Sequence, residues 1–204
     1  GFESEHRQVL HTASRDVFGD EPVASEASSK AKAELEKLSV FLEEVGSGKV
    51  LGSTGKKFDT MVQVGIGGSD LGPRAIFEAL RYFGKNGRKV RFIANVDPDD
   101  AAAVLKELDL ETTLVNIVSK SGSTLETLTN ETLVKQALDE KGLDPAVHCI
   151  AVTGEGSPLD NPANYLRSFY MYDYIGGRYS ATSMVGAVML GFYLGMDQLE
   201  DFLK

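Results

Sequence analysis

Three short segments of this 204-residue chain concentrate side chains and backbone suited to a small anionic ligand. Ser119-Lys120-Ser121-Gly122-Ser123-Thr124-Leu125-Glu126-Thr127 carries hydroxyls on Ser119, Ser121, Ser123, Thr124 and Thr127, where an apolar run gives way to a helical pattern. The first N–H groups of a helix lack internal partners and lie at the positive end of its dipole. Hydroxyls beside them add donors, which is the composition of a phosphate cradle. A plain Ser/Thr N-cap would need one such residue, not five. Lys120 adds a cation, although Ser121, its neighbour in the alternation, can take the inward position instead. Gly65-Ile66-Gly67-Gly68-Ser69-Asp70-Leu71-Gly72-Pro73 follows an earlier apolar run. Its glycines permit close backbone approach, and Pro73 suits the first turn of a helix. A ligand loop and a tight strand-to-helix turn both fit. Read as G-x-G-x-x-G from Gly65, the string puts Asp70 where the third glycine belongs, so a dinucleotide site is not expected. Gly176-Gly177-Arg178-Tyr179-Ser180 sets an arginine beside paired glycines. Arg178 suits phosphate or a developing oxyanion, and equally an ordinary surface turn.

Other candidates fail. Gly55-Lys56 resembles the end of a P-loop, but Val50 stands where its first glycine belongs and Lys57 where its Ser/Thr belongs. His6, His11 and His148 share no metal-ligand spacing, so no metal is expected, and His148 reads as structural. Cys149, in the run Val147–Val152, reads as a buried thiol, and a lone cysteine fits a reducing compartment.

Composition narrows the partners. There are 30 acidic and 21 basic residues, a net charge of −9, which argues against nucleic acid and membrane surfaces. No window approaches 18 apolar residues, so no membrane span is expected. The start, Gly1-Phe2-Glu3-Ser4-Glu5-His6-Arg7, has neither a signal-peptide pattern nor an initiator Met, so a processed or excised piece is expected.

The elements that must position these segments read as follows. Residues 1–57 are polar and helix-prone. Ala31, Leu35, Leu38, Leu42 and Val45 mark an amphipathic helix ending at Gly46-Ser47-Gly48. From residue 58 to 204, apolar runs Met61–Ile66, Val90–Val96, Thr113–Val118 and Val147–Val152 alternate with helical patterns Pro73–Phe83, Pro98–Leu108 and Thr124–Asp139. Such alternation predicts an α/β domain, a parallel sheet flanked by helices, with ligands at the carboxyl ends of the strands. Ser168–Tyr174 fits a fifth strand or a loop. Ser183–Leu194 is a nearly all-apolar helix, with more apolar surface than one face can bury. Part of it is expected to face a domain or subunit outside this chain, and to be exposed or self-associating here.

Taken together, Val64–Pro73, Ser119–Thr127 and Gly176–Ser180 resemble the glucose-6-phosphate isomerase family, specifically its first sugar-isomerase (SIS) domain. Val9-Leu10-His11-Thr12-Ala13 and Thr54-Gly55-Lys56-Lys57 resemble family segments ahead of that domain. The resemblance implies a flavodoxin-like fold of strand order 2-1-3-4-5, preceded by an N-terminal helical segment. It implies a cytoplasmic homodimer interconverting glucose 6-phosphate and fructose 6-phosphate through an enediolate, without cofactor. By position, Ser119, Lys120, Ser121, Gly122, Ser123, Thr124 and Thr127 would form the phosphate site. Gly68 and Ser69 would contact the sugar, with Gly177 and catalytic Arg178 along its reacting end. Gly122 stands where many members carry a bulkier residue. The family's general base, ring-opening histidine and a lysine lie beyond the matched stretch. These 204 residues are therefore expected to bind but not to isomerise. The competing expectation is a stand-alone SIS module that binds a phosphosugar and regulates a partner; the length of the native reading frame separates the two. The ending Asp201-Phe202-Leu203-Lys204, close behind an apolar helix, favours truncation.

Overall fold

The computed structural model describes residues 6, 8–85 and 87–204, so the reading of the first seven residues falls, His6 apart, outside them. Helix α1 (Ser25–Ser47) closes at Gly48, whose φ of 83° supplies the left-handed turn that ends it. Five strands follow: β1 (Thr60–Val64), β2 (Lys89–Ile93), β3 (Thr113–Ser119), β4 (Cys149–Thr153) and β5 (Ser168–Tyr170). Helices α2 (Leu71–Leu80), α3 (Pro98–Lys106), α4 (Leu125–Glu140), α5 (Pro145–His148), α6 (Met184–Leu194) and α7 (Met196–Leu203) connect or follow them. All pairings are parallel, in the order β2-β1-β3-β4-β5. The expected 2-1-3-4-5 order is therefore found. From β1 the chain moves outward to β2, and from β3 it moves the other way to β4. The carboxyl ends of β1 and β3 consequently flank the switch point.

The central strands are buried on both faces because helices cover both. Met61 and Leu114 point into one layer with Leu38 and Phe41 of α1 and Val188 and Met189 of α6. Val62, Val64 and Ile117 point into the other with Val134 and Leu138 of α4. Alternation along each strand thus feeds two cores at once.

The structure corrects several boundaries. The run Val147–Val152 becomes a strand only at Cys149, because Asp144 caps the N–H of Ala146 at 2.9 Å and Pro145 starts one helical turn. His148 ends that turn fully buried. Its Nε2 accepts the Ser53 N–H at 3.0 Å, so Nδ1 carries the proton toward the Thr113 carbonyl at 2.9 Å. This ring pins the segment before β1 to β3. The fifth strand stops at Tyr170, and α7 was not anticipated. The expected exposure of Ser183–Leu194 is wrong. Met184 to Phe192 and Leu194 are all buried, because α1 covers the flank of α6 that the sheet leaves open.

Candidate functional site at the sheet switch point

Ser119 is the buried last residue of β3. The chain then folds back, with the Gly122 N–H on the Ser119 carbonyl at 3.1 Å. Gly122 has a φ of 65°, and a Cβ there would stand 2.8 Å from Ser157 Oγ and 3.0 Å from Pro158 Cδ. Both the left-handed backbone and the close approach call for glycine. The end of β4 braces this turn: Thr153 Oγ1 donates to the Ser119 carbonyl at 2.7 Å, and the Gly154 N–H to the Lys120 carbonyl at 2.9 Å.

Helix α4 begins immediately afterwards without a side-chain cap. Thr124 occupies the N-cap position, but its hydroxyl lies 2.9 Å from Ser119 Oγ instead. The Ser123 hydroxyl and N–H both turn to Ser121 Oγ, at 3.1 and 3.2 Å. Within the first turn of the helix, Thr127 Oγ1 is buried and has no hydrogen-bond partner. A 16-residue helix therefore starts with free N–H groups and an unmet buried hydroxyl, with four further hydroxyls around them. Lys120 does not join this group. Its Nζ bonds the Ile175 carbonyl at 3.1 Å and lies 3.6 Å from the Asp173 carboxylate, tying the hydroxyl segment to the arginine segment.

The two glycine segments meet backbone to backbone. A Cβ on Gly68 would fall 2.2 Å from the Gly177 carbonyl oxygen, so no side chain fits there. Ser180 Oγ donates to that same oxygen at 2.8 Å and holds the short helical turn Gly177–Tyr179. Asp70, the residue unsuited to a pyrophosphate, is buried and receives Nε and Nη2 of Arg74 at 2.9 and 2.7 Å. Its carboxylate is thus engaged by the arginine one turn into its own helix, and makes no capping bond to the helix N–H groups. Arg178 is exposed, and no hydrogen bond or ion pair holds its guanidinium among the described residues. Val118 Cβ lies 3.2 Å from where a Gly65 Cβ would stand, which sets the first glycine segment directly beside the hydroxyl segment.

Sequence reasoning missed what holds these loops. Gln63 and Asn116 are paired in register across β1 and β3 and almost wholly buried. Asn116 Nδ2 donates to Gln63 Oε1 at 3.2 Å. Gln63 Nε2 in turn donates to the Ser69 carbonyl at 2.9 Å and to the Val185 carbonyl at 3.3 Å. The available signal was one polar residue interrupting each of two strand-like apolar runs. Among the described residues, no group of three or more His, Cys, Asp or Glu is gathered as a metal would need. No helix is long and apolar enough to cross a membrane.

A parallel sheet of this order with a hydroxyl-rich helix start at its switch point defines a SIS-type α/β domain. At the level of fold alone, a structure from Silicibacter pomeroyi, provisionally described as a phosphosugar isomerase, matches 96% of this chain and 53% of its own, with TM-score 0.55 and 15% identity. The chain belongs to the phosphoglucose isomerase family, whose model matches residues 2–204. The glucose-6-phosphate isomerase of Desulfotalea psychrophila is 60% identical over 100% of the chain. The crystal structure of a glucose-6-phosphate isomerase from Chlamydia trachomatis matches 100% of the chain with TM-score 0.90 and 47% identity. In both comparisons this chain spans 38% of the relative's length.

Proposed function

We propose that residues 58–204, led into by residues 1–57, are the phosphate-binding SIS domain of an enzyme that interconverts glucose 6-phosphate and fructose 6-phosphate. The observation that carries this reading is the start of α4: an uncapped helix N-terminus with a buried, unpartnered Thr127 hydroxyl. Those groups suit a dianionic phosphate, which would take hydrogen bonds from the first N–H groups of α4 and from Ser119, Ser121, Ser123, Thr124 and Thr127. The sugar would then extend toward Gly68, Ser69 and Gly177, with Arg178 at its reacting end. In the reaction a base removes the proton from carbon 2 of the open-chain sugar, forming a carbon 1–carbon 2 double bond as the carbonyl oxygen at carbon 1 takes up negative charge. A proton passes from the carbon 2 hydroxyl to the oxygen on carbon 1, and return of the first proton to carbon 1 leaves the ketone at carbon 2. Arg178 would stabilise the negative oxygen that develops. A metal or nucleotide has no place in this scheme.

None of these site residues is placed to serve as that base. Asp70 is engaged by Arg74, and Glu126 is exposed in the first turn of α4, outside the cluster. Anchoring alone binds ground state and transition state nearly equally. The reading therefore predicts that this chain binds sugar phosphate with little isomerase activity, while the full reading frame is active. We further place the protein in the cytoplasm as a homodimer that uses neither nucleic acid nor membrane. A coupled isomerase assay on both lengths, with Arg178→Ala as the check on host contamination, tests the reading. An inactive full-length protein overturns it, as does a 204-residue chain whose robust activity vanishes in the Arg178 variant. A regulatory phosphosugar sensor would be the better reading if the full reading frame were of this length and inactive.

A further inference from the structure

We propose that His11 is a positioning residue for Arg178, acting through Tyr179, so that the N-terminal turn is a working part of the site. The proposal rests on the isomerase reading only for the work Arg178 does. The guanidinium has no partner of its own among the described residues, so its placement depends on the backbone that carries it. That backbone follows Gly176 and Gly177 and is intrinsically soft.

The short helical turn His11–Ser14, with Leu10 before it, contacts the segment around Arg178 at three points. Ahead of the arginine, the Leu10 N–H donates to the Tyr174 carbonyl at 3.1 Å. Beyond it, Ser14 Oγ lies 3.0 Å from Thr182 Oγ1; since Ser14 donates to the His11 carbonyl at 2.8 Å, Thr182 is the donor to Ser14. Between them, the His11 ring stacks on Tyr179, the residue next to Arg178, with centroids 4.7 Å apart and planes 22° apart. On the other side Gly177 lies against the backbone of Gly68. Arg178 thus lies between two neighbours, one against the Gly68 backbone and one stacked on His11. His11 Nδ1 is buried without a hydrogen-bond partner, so the stacking, not a bond from that nitrogen, is what the ring supplies. Phenylalanine should therefore replace histidine, and alanine should not.

Two measurements test this. In the protein made from the full reading frame, His11→Ala should lower kcat roughly 10–100-fold, the scale of a small misplacement of a catalytic group, and leave KM within about twofold. His11→Phe should restore kcat. In an Arg178→Ala background, His11→Ala should cost nothing further, because the two changes remove one effect. A general loss of folding would still lower activity there. Independently of activity, trypsin should cut after Arg178 several-fold faster in His11→Ala than in wild type or His11→Phe, with cutting at Lys135 unchanged. Unaltered kcat in His11→Ala, additive losses in the double variant, or unaltered cutting after Arg178 overturns the proposal. An inactive wild type instead refutes the isomerase reading, and the protease result then decides the clamp alone.

Discussion

At the proposed phosphate site, single-atom changes should separate ligand binding from stability. Thr127 is buried, yet its hydroxyl bonds to nothing within the protein, so exchanging it for a methyl group removes no internal interaction. Thr127→Val should leave the unfolding midpoint unchanged. It should weaken binding of glucose 6-phosphate by about 1.5–3 kcal/mol, the contribution of a hydrogen bond to a charged group. Calorimetric titration alongside thermal unfolding reads both; equal affinity for the two proteins would remove Thr127 from the phosphate site. Gly68→Ala has the opposite character. The new methyl would overlap the Gly177 carbonyl, so the two glycine segments must part. Arg178 then moves, and kcat in the full-length protein should fall by about 100-fold, measurable by steady-state kinetics. The hydroxyl and glycine strings were legible in the sequence because turn and helix-start chemistry is local. That Lys120 would bond the Ile175 carbonyl was not, since that partner is 55 residues distant.

At the scale of elements, the molecule depends on α1 covering α6. Leu38 and Phe41 of α1 are essentially inaccessible, in the same cluster as Val188 and Met189 of α6. Leu38→Ala should therefore cost about 2–5 kcal/mol, as a buried truncation in a fully formed core does. Urea unfolding measures it, and a cost below about 1 kcal/mol would place α1 outside the cooperative core. The 3.6-residue period of α1 was visible in the sequence. The surface it covers was not, because an apolar stripe declares that it must be buried without saying against what. Hence α6, apolar all round, was assigned a bare face that α1 in fact occupies. Helix α3 shows the more legible case. Asp97 accepts the N–H groups of Asp99 and Asp100, with Pro98 at the first position, and its start at Pro98 was read correctly. Asp97→Ala should cost about 1 kcal/mol by the same unfolding measurement.

Across the whole molecule, Cys149 reports on global integrity. It is fully buried in β4, and burial pushes its thiol up to about 12 from an ordinary value of 9.0. A thiol reagent at pH 8 should thus label it only through unfolding, at a rate that rises with urea as the unfolding rate does. Rapid labelling of the native protein would contradict this burial. Because the folded value lies above the unfolded one, the stability linked to this group is intact below about pH 9 and fades as pH climbs toward 12. Tyr172 and Tyr174, also pushed up to about 12 by burial, act in the same direction. The sequence by itself determined the alternation of strands and helices, the starts of α3, α4 and α6 to within one residue, and the three segments proposed to carry chemistry; the strand order was legible through their resemblance to a family. These follow from periodicity, capping and backbone freedom, which act over a few residues. Only the tertiary structure decided that Gly68 meets Gly177, that Gln63 and Asn116 hold the loops beneath them, that α1 closes over α6 and that His11 lies on Tyr179. Each of these joins segments distant along the chain, and their pairing depends on which surfaces together exclude water and satisfy one another's polar groups, which no single segment encodes.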